Sequence, residues 1–460
     1  RVFELEEAYK ANDKFKAWVD QNKFVFEIGK KIEGLNKNTG VHPSGIAISY
    51  YKIEEVCPVQ KTSDGDLVSG YDMNYVAELM VKFDVLGLRT LTVVSEVCKR
   101  LNIQMTSIDP EDPFIYENLQ NLRTPQGLFQ IEAETNFKVC RKVQPKSLEQ
   151  LSAVVAIARP GALDFADQYA TYSASGVFQL VHDFFKDELS YTGGIPLYQE
   201  QLMKMAVRLG FTLDESEQLR RIVGKKKVDQ MPAWQGKIRQ KVAEQNLDPA
   251  IGDVLWKVAE DSANYSFNKS HSTCYAWIAY QTAYLKANYP AEYMSSVLSN
   301  NMSDIKQVTF FMEECRRMGL EVLGPDINES TYTFSVNKTG AIRFGLGAIK
   351  GLGSSAIEAI IEVRETGLFQ SIFDMTKRIN LRVCTKKSFE SLAYAGALDS
   401  FKNVHRAQYF FVDGNNRSFL DNAMKYGLNF KENQSSSQES LFGVGSEVSM
   451  PEPNLPQCNE

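Results

Sequence analysis

The seven cysteines, Cys57, Cys98, Cys140, Cys274, Cys315, Cys384 and Cys458, are odd in number, scattered, and never spaced as C-x-x-C. That excludes a zinc ribbon and a disulfide framework, and it points to a reducing, cytoplasmic setting. No apolar run is long enough to span a membrane, and no signal-peptide pattern opens the chain. An excess of positive charge is also missing. The net charge is -6, so any contact with nucleic acid must rest on local patches. The sequence begins at Arg1, on helical text and without a methionine, and is read as a piece of a longer protein. What is present is ordinary globular composition, 43% apolar and 23% charged over 460 residues, enough for about two to four domains.

One stretch organises the rest. Residues 79 to 86 read as a buried β-strand, on which alternate side chains share a face. Val81, Phe83 and Val85 form an apolar face expected to be core. Met80, Lys82, Asp84 and Leu86 form the other, so a cation and a carboxylate stand together inside a hydrophobic run. Buried charge needs a partner or a metal. Taken alone, the pair reads either as a metal-and-phosphate site or as an ion pair that stabilises the sheet. After Gly87, Leu88, Leu91, Val94, Cys98 and Leu101 continue at helical spacing.

Upstream, Leu5 to Leu35 reads as a pair of amphipathic helices, and His42-Pro43-Ser44-Gly45 leads into a strand at 46–51. His42 by itself reads as structural or surface. Thr62 to Asp66 reads as a hairpin tip. Downstream the text is mainly helical. Ser147-Leu148-Glu149-Gln150 and Thr212-Leu213-Asp214-Glu215 are capping boxes that mark helix starts. The second helix runs into Leu219-Arg220-Arg221-Ile222-Val223-Gly224-Lys225-Lys226-Lys227, a cationic cluster in an acidic chain. Clustered Arg and Lys can hold phosphate oxygens, Arg forking onto two at once; a solvated basic face is the alternative. Phe267-Asn268-Lys269-Ser270-His271 opens an aromatic helix containing Tyr275, Trp277, Tyr280 and Tyr284. It places Lys269 and His271 at an N-terminus that favours anions.

Farther on, Phe344-Gly345-Leu346-Gly347-Ala348-Ile349-Lys350-Gly351-Leu352-Gly353 precedes a helix at 356–364. This is the helix-hairpin-helix pattern, in which glycines let the backbone approach a phosphate; a structural αα-hairpin is the alternative. Residues 382–399, with a break at Gly396, offer a tandem partner. Beyond 427 the composition turns polar, and Lys431 to Ser440 reads as flexible linker. Embedded in it, Gln438-Glu439-Ser440-Leu441-Phe442 offers an apolar anchor to a partner's groove.

Together these segments resemble the C-family of replicative DNA polymerases, the bacterial DNA polymerase III alpha-subunit family. The carriers, in order, are Val81 to Thr90, Gly127 to Ile131, Ala158 to Gly161, Tyr198 to Gln201, Leu219 to Lys227, Phe267 to His271, Tyr280 to Thr282 and Phe344 to Gly351. The resemblance implies a predominantly helical α+β fold: part of a thumb at 1–38, part of a nucleotidyltransferase-type palm at 39–106, fingers at 107–335, a helix-hairpin-helix region at 336–426, and a linker with a clamp-binding motif at 427–460. It also implies template-directed addition of deoxynucleotides with two Mg2+ ions. Asp84 matches one of three metal-binding aspartates; the Pro-Asp-x-Asp-x-Asp motif that carries the other two does not occur here. Lys82, Arg220, Arg221 and Lys225 to Lys227 would contact triphosphate, with Lys269 and His271 as further candidates. Lys350, Gly351 and Gly353 would contact duplex DNA, and Gln438, Leu441 and Phe442 the sliding clamp. The implied partners are primer-template DNA, deoxynucleoside triphosphates, the clamp and other replisome subunits, with no membrane. This chain alone is expected to bind without catalysing. A non-catalytic DNA- and clamp-binding module is the alternative.

Overall fold

The apolar residues of the first 35 positions form three helices, Leu5–Ala11, Asp13–Gln21 and Lys23–Ile32, rather than the expected two. Asn12 and Asn22 are the breaks; the Asn12 side chain accepts from the Phe15 N–H and starts the second helix. These residues belong to one of two compact units, Arg1–Leu88 and Arg89–Glu460. The computed structural model describes residues 4–35, 40–42, 44–224, 230–402, 404–435 and 451–458.

In the first unit Gly45–Ile48 pairs antiparallel with Val81–Asp84, placing Gly45 opposite Asp84 and Ala47 opposite Lys82. A second hairpin pairs Val59–Lys61 with Leu67–Ser69. Its tip is the expected one, closed by the Thr62 N–H on Asp66 O, with Gly65 in a left-handed conformation. The organising strand is not buried. Val81 and Phe83 are each 53% exposed, and Ile46 and Ile48 beside them are open as well. Periodicity assigned the two faces correctly but not what covers them. The helix Met73–Leu79 packs on the strand, with Val76 and Met80 in one small core, and the apolar face is left about half exposed.

The second unit is built around the helix Lys269–Asn288, 20 residues long. It packs on Leu148–Ile157, Pro113–Gln120, Arg89–Leu101 and Pro290–Ser299. Ser272, Ala276, Ala279 and Ala283 are buried along it, and small side chains let neighbouring helices approach closely. Tyr280 is fully buried, and Tyr275, Trp277 and Tyr284 lie partly buried against the same core, so the aromatics are packing. Residues 199–265 form a separate helical cluster around Leu219, Ile238 and Leu255. Both expected caps form at their sites. Thr212 and Glu215 make a reciprocal box. Ser147 accepts from Gln150, but the Gln150 side chain turns back to the Lys146 N–H. A third box, Tyr198 with Gln201, is absent from the sequence reading.

A three-stranded sheet ordered Val322–Leu323, Ile342–Arg343, Ser335–Val336 leads into the last region. Its core gathers Ile357, Ile360, Phe373, Phe389, Leu392 and Leu420. The helix Phe419–Ser435 overruns the expected linker boundary at 427 and makes Lys431 to Ser435 helical. Polar composition suggested a linker, but Tyr426 packs on Phe373 and the Lys431 amine bonds Ile379 O, anchoring that face. Residues 451–458 lie back on the same region. Gln408 donates to Pro456 O at 2.7 Å, His405 Nε2 lies 3.0 Å from Cys458 O, and Glu452 pairs with Lys377 at 3.6 Å.

One buried ion pair ties the second unit together. Lys286 donates to Glu314 and to Gln126 O, both at 2.7 Å, while Thr124 donates to the same carboxylate at 3.0 Å. Both charged residues are buried. Removing one partner strands the other in low dielectric, so Lys286→Met and Glu314→Ala should each cost about 3–5 kcal/mol. The double variant Lys286→Met/Glu314→Leu, which leaves no orphan charge, should lose less than the sum of the single changes. Urea unfolding followed by far-UV circular dichroism reads the difference, and strict additivity would refute the coupling.

Candidate functional site

In the first unit, Lys82 Nζ lies 3.0 Å from Asp84 Oδ1 and 3.2 Å from Oδ2. The pair foreseen in the sequence therefore forms, on a half-exposed strand end. The structure adds a residue that the sequence reading set aside. His42 Nδ1 lies 3.7 Å from Asp84 Oδ1 and accepts from the Ser44 N–H at 3.3 Å. Gly45 makes this convergence possible. A Cβ there would stand 2.9 Å from His42 Nδ1 and 3.0 Å from Lys82 Cε. The signal was the glycine opposite Asp84, but register across a two-stranded sheet is not visible in either strand alone.

In the second unit, a cavity of about 490 Å³ is lined by Gln199, Arg220, Arg221, Ser262 and Ser266, among others. Both arginines sit on the helix Leu213–Gly224. Neither is a free cation. The Glu217 carboxylate accepts from Arg220 Nε and Nη2 at 2.7 Å each, and from Arg221 Nε at 2.7 Å. Arg220 Nη1 donates to Gln199 Oε1 at 3.2 Å. The two guanidinium groups, Arg220 first, hold the Glu217 carboxyl down at about 2. Glu217 was legible in principle, since an acid three and four residues ahead of two arginines shares their helix face. Lys225, Lys226 and Lys227 lie outside the described residues.

Lys269 and His271 take up less of the expected role. The N-terminus of their helix is already satisfied. Glu200 accepts from the Lys269 N–H at 2.9 Å and from Asn268 Nδ2 at 2.9 Å, and Asn268 Oδ1 accepts from the His271 N–H at 2.8 Å. The Lys269 amine pairs with Glu149 at 3.0 Å and lies over the Tyr191 ring. The His271 ring lies 4.1 Å from that of Tyr275. Gln199 and Glu200 are adjacent at the start of the helix Gln199–Arg208. One holds Arg220 and the other the Lys269 terminus, so the structure does bring the two cationic segments to one place.

The glycine hairpin differs from expectation on its first arm, where Leu346–Ala348 is a 3-10 turn rather than an α-helix. Gly345 and Gly347 pack against the Tyr332–Phe334 segment, where a Cβ would collide. Gly351 is left-handed at φ 87, and a Cβ would meet Ser391 Oγ at 2.9 Å. Lys350, Gly351 and Gly353 are exposed, and Gly353 opens the helix Ser354–Glu365. Gly396 closes the helix Lys386–Ala395 in a Schellman turn, its own N–H on Ala393 O and that of Ala397 on Leu392 O. It satisfies carbonyls and presents no donors. Gln438, Leu441 and Phe442 lie outside the described residues.

Comparison with known proteins gives three consecutive matches. The model of the bacterial DNA polymerase III alpha NTPase domain covers residues 2–87, that of the alpha-subunit finger domain 90–246, and a helix-hairpin-helix motif 319–409. The chain is 36% identical to DNA polymerase III subunit alpha of Vibrio cholerae over 463 aligned positions, covering 96% of this chain and 38% of that protein. It is 34% identical to the subunit of the same name from Pasteurella multocida, with 96% and 39% covered. For Escherichia coli K12 the figures are 34%, 96% and 38%. The chain thus spans about two fifths of the length of the curated relatives it matches.

The Glu217 pairing sets a pH dependence. A depressed carboxyl contributes stability above its unfolded value, 4.5, and loses it as pH falls toward the folded value. Melting temperatures of the parent and of Glu217→Gln should differ at pH 7 and converge as pH drops from 4.5 toward about 2. A constant difference across that window would show that the shift is not there.

Proposed function

Because the chain belongs to the bacterial DNA polymerase III alpha-subunit family, we propose that it is part of a replicative DNA-directed DNA polymerase, one that extends a primer 3′-end with deoxynucleotides. The observation that carries this reading is the cavity flanked by Arg220 and Arg221, two residues of the segment that matches the finger domain. Guanidinium groups that line such a cavity and keep unpaired N–H donors among the described residues suit the oxygens of a triphosphate. In this proposal Lys225 to Lys227 contact phosphate as well, with Lys269 and His271 as further candidates. In the first unit, Lys82 is a phosphate contact and Asp84 a metal-ligating carboxylate. Base pairing supplies the sequence information, so contacts to the duplex fall on the backbone.

Two Mg2+ ions are the cofactor that the reading implies. Asp84 offers one carboxylate, already engaged by Lys82. Among the described residues, no three His, Cys, Asp or Glu side chains converge as a metal site. The donor set present does not by itself fit a two-ion centre. What these residues do is bind and orient: Lys82 screens the Asp84 charge, and Arg220 and Arg221 hold phosphate oxygens.

A second reading has its own support. Lys350, Gly351 and Gly353 stand exposed on the hairpin that matches a helix-hairpin-helix motif. By themselves they suit sequence-independent contact with duplex phosphates. With Gln438, Leu441 and Phe442 as a clamp anchor, this stretch would serve as a non-catalytic DNA- and clamp-binding module within the larger polymerase and replisome.

Primer-extension assays separate the readings. This chain alone should incorporate no nucleotide, and robust template-dependent extension by it would sink the reading of it as a piece that binds without catalysing. In a complete polymerase that contains this segment, Asp84→Asn should abolish incorporation; near-normal activity there would leave Asp84 a structural partner of Lys82.

Binding assays test the module. Lys350→Ala should weaken affinity for a labelled duplex evenly across sequences and lower the salt slope by about 1. Phe442→Ala should abolish capture on immobilised clamp while leaving duplex affinity intact. Unchanged values in either case would remove the corresponding contact.

A further inference from the structure

Glu217 could act on an anion site in two opposite ways. It could neutralise the arginines, competing with phosphate for their donors. Or it could aim them, leaving other donors free and fixed. Geometry decides which. An arginine has five N–H groups. In Arg220 the Nε–Nη2 edge is closed by Glu217 and one Nη1 donor by Gln199, which leaves one donor on each Nη. In Arg221 only Nε is taken among the described residues, which leaves both Nη groups open there. A single carboxylate therefore grips one edge of both guanidinium groups, and both arginines line the cavity. Gln199 braces Arg220 from another helix, so the group is fixed from two directions.

We propose that Glu217 is a positioning residue for the phosphate-binding arginines, holding Arg220 and Arg221 so that their outer N–H groups face a polyphosphate in the cavity. This rests on the reading of those arginines as phosphate contacts. A flexible arginine gives up side-chain freedom when it binds; one held beforehand gives up less. The carboxylate at 217 therefore raises affinity for an anion even though it carries negative charge itself.

That sign is what makes the claim testable. Inorganic tripolyphosphate is titrated calorimetrically into the chain at low salt, with folding of each variant checked by circular dichroism. Glu217→Gln adds one unit of net positive charge to the site, so a neutralising role predicts tighter binding. Positioning predicts the reverse, weaker by about tenfold, the worth of one charge-assisted hydrogen bond. Glu217→Asp keeps the charge but withdraws it from the fork, and it should also bind more weakly. If Glu217→Gln binds as tightly as the parent or tighter, or if Glu217→Asp is unchanged, positioning is wrong. The double variant Arg220→Ala/Arg221→Ala tests the reading beneath. If it binds as well as the parent, or if the parent does not bind, the arginines are not phosphate contacts and the inference falls with that reading. If it loses binding while Glu217→Gln does not, the contacts stand and only the positioning claim fails.

Discussion

The arrangement around the cavity depends on two backbone hydrogen bonds. The Gln199 N–H donates to Phe267 O at 2.9 Å, and the Phe267 N–H donates to Leu197 O at 3.1 Å. This short parallel bridge joins the start of one helix to the start of another across nearly seventy residues of chain. Arg159 locks it from behind, donating to Tyr265 O at 2.6 Å and lying 4.0 Å from the Phe267 ring. With the bridge made, Gln199 can reach Arg220 and Glu200 can cap the helix that begins at Lys269. Without it, neither contact has a reason to form. The segments around Arg159, Tyr198 and Phe267 stand apart in sequence, and they meet because each either makes this bridge or braces it; Arg220 joins them through the Gln199 side chain.

The charge pattern follows the same logic. The chain is acidic overall, yet most of its notable cations are already answered. Glu217 holds Arg220 and Arg221, Glu149 holds Lys269, Glu314 holds Lys286, and Asp399 holds Arg406. A cation with a carboxylate at its side is less attractive to a diffusing anion but better defined in direction. Lys350 is the contrast, standing exposed on its hairpin. The two kinds of surface suit different tasks. A pinned pair of arginines suits one small, highly charged ligand in one orientation, and an open lysine on a glycine turn suits a repetitive backbone met in many registers.

What the sequence made legible was local. The Thr212–Glu215 box, the Thr62–Asp66 turn and the aromatic helix after Asn268 form where expected, because each is specified by residues within one turn of each other. What it hid was set by distance. The exposure of Val81 and Phe83 depends on what lies over the sheet, which alternation cannot report. His42 reaches Asp84 only because register places Gly45 opposite it. The helix through Ser435 persists in polar text because Tyr426 and Lys431 find anchors far away in the chain. The break expected at Gly396 is there, as the left-handed stop of the helix Lys386–Ala395. Glu217 was the avoidable miss, since its spacing from both arginines is plain in the sequence and its meaning is local.

The burial of the Lys286–Glu314 pair has a consequence for how the molecule answers ionic strength. Mobile ions screen charges that water can reach, over about 8 Å at physiological salt. They cannot reach a pair shut inside the fold. Raising salt therefore acts selectively: it weakens whatever the exposed lysines hold and leaves the internal strut at full strength. Attachment and architecture draw on the same type of interaction but respond to different solvents, one to the bulk electrolyte and the other to the protein's own interior.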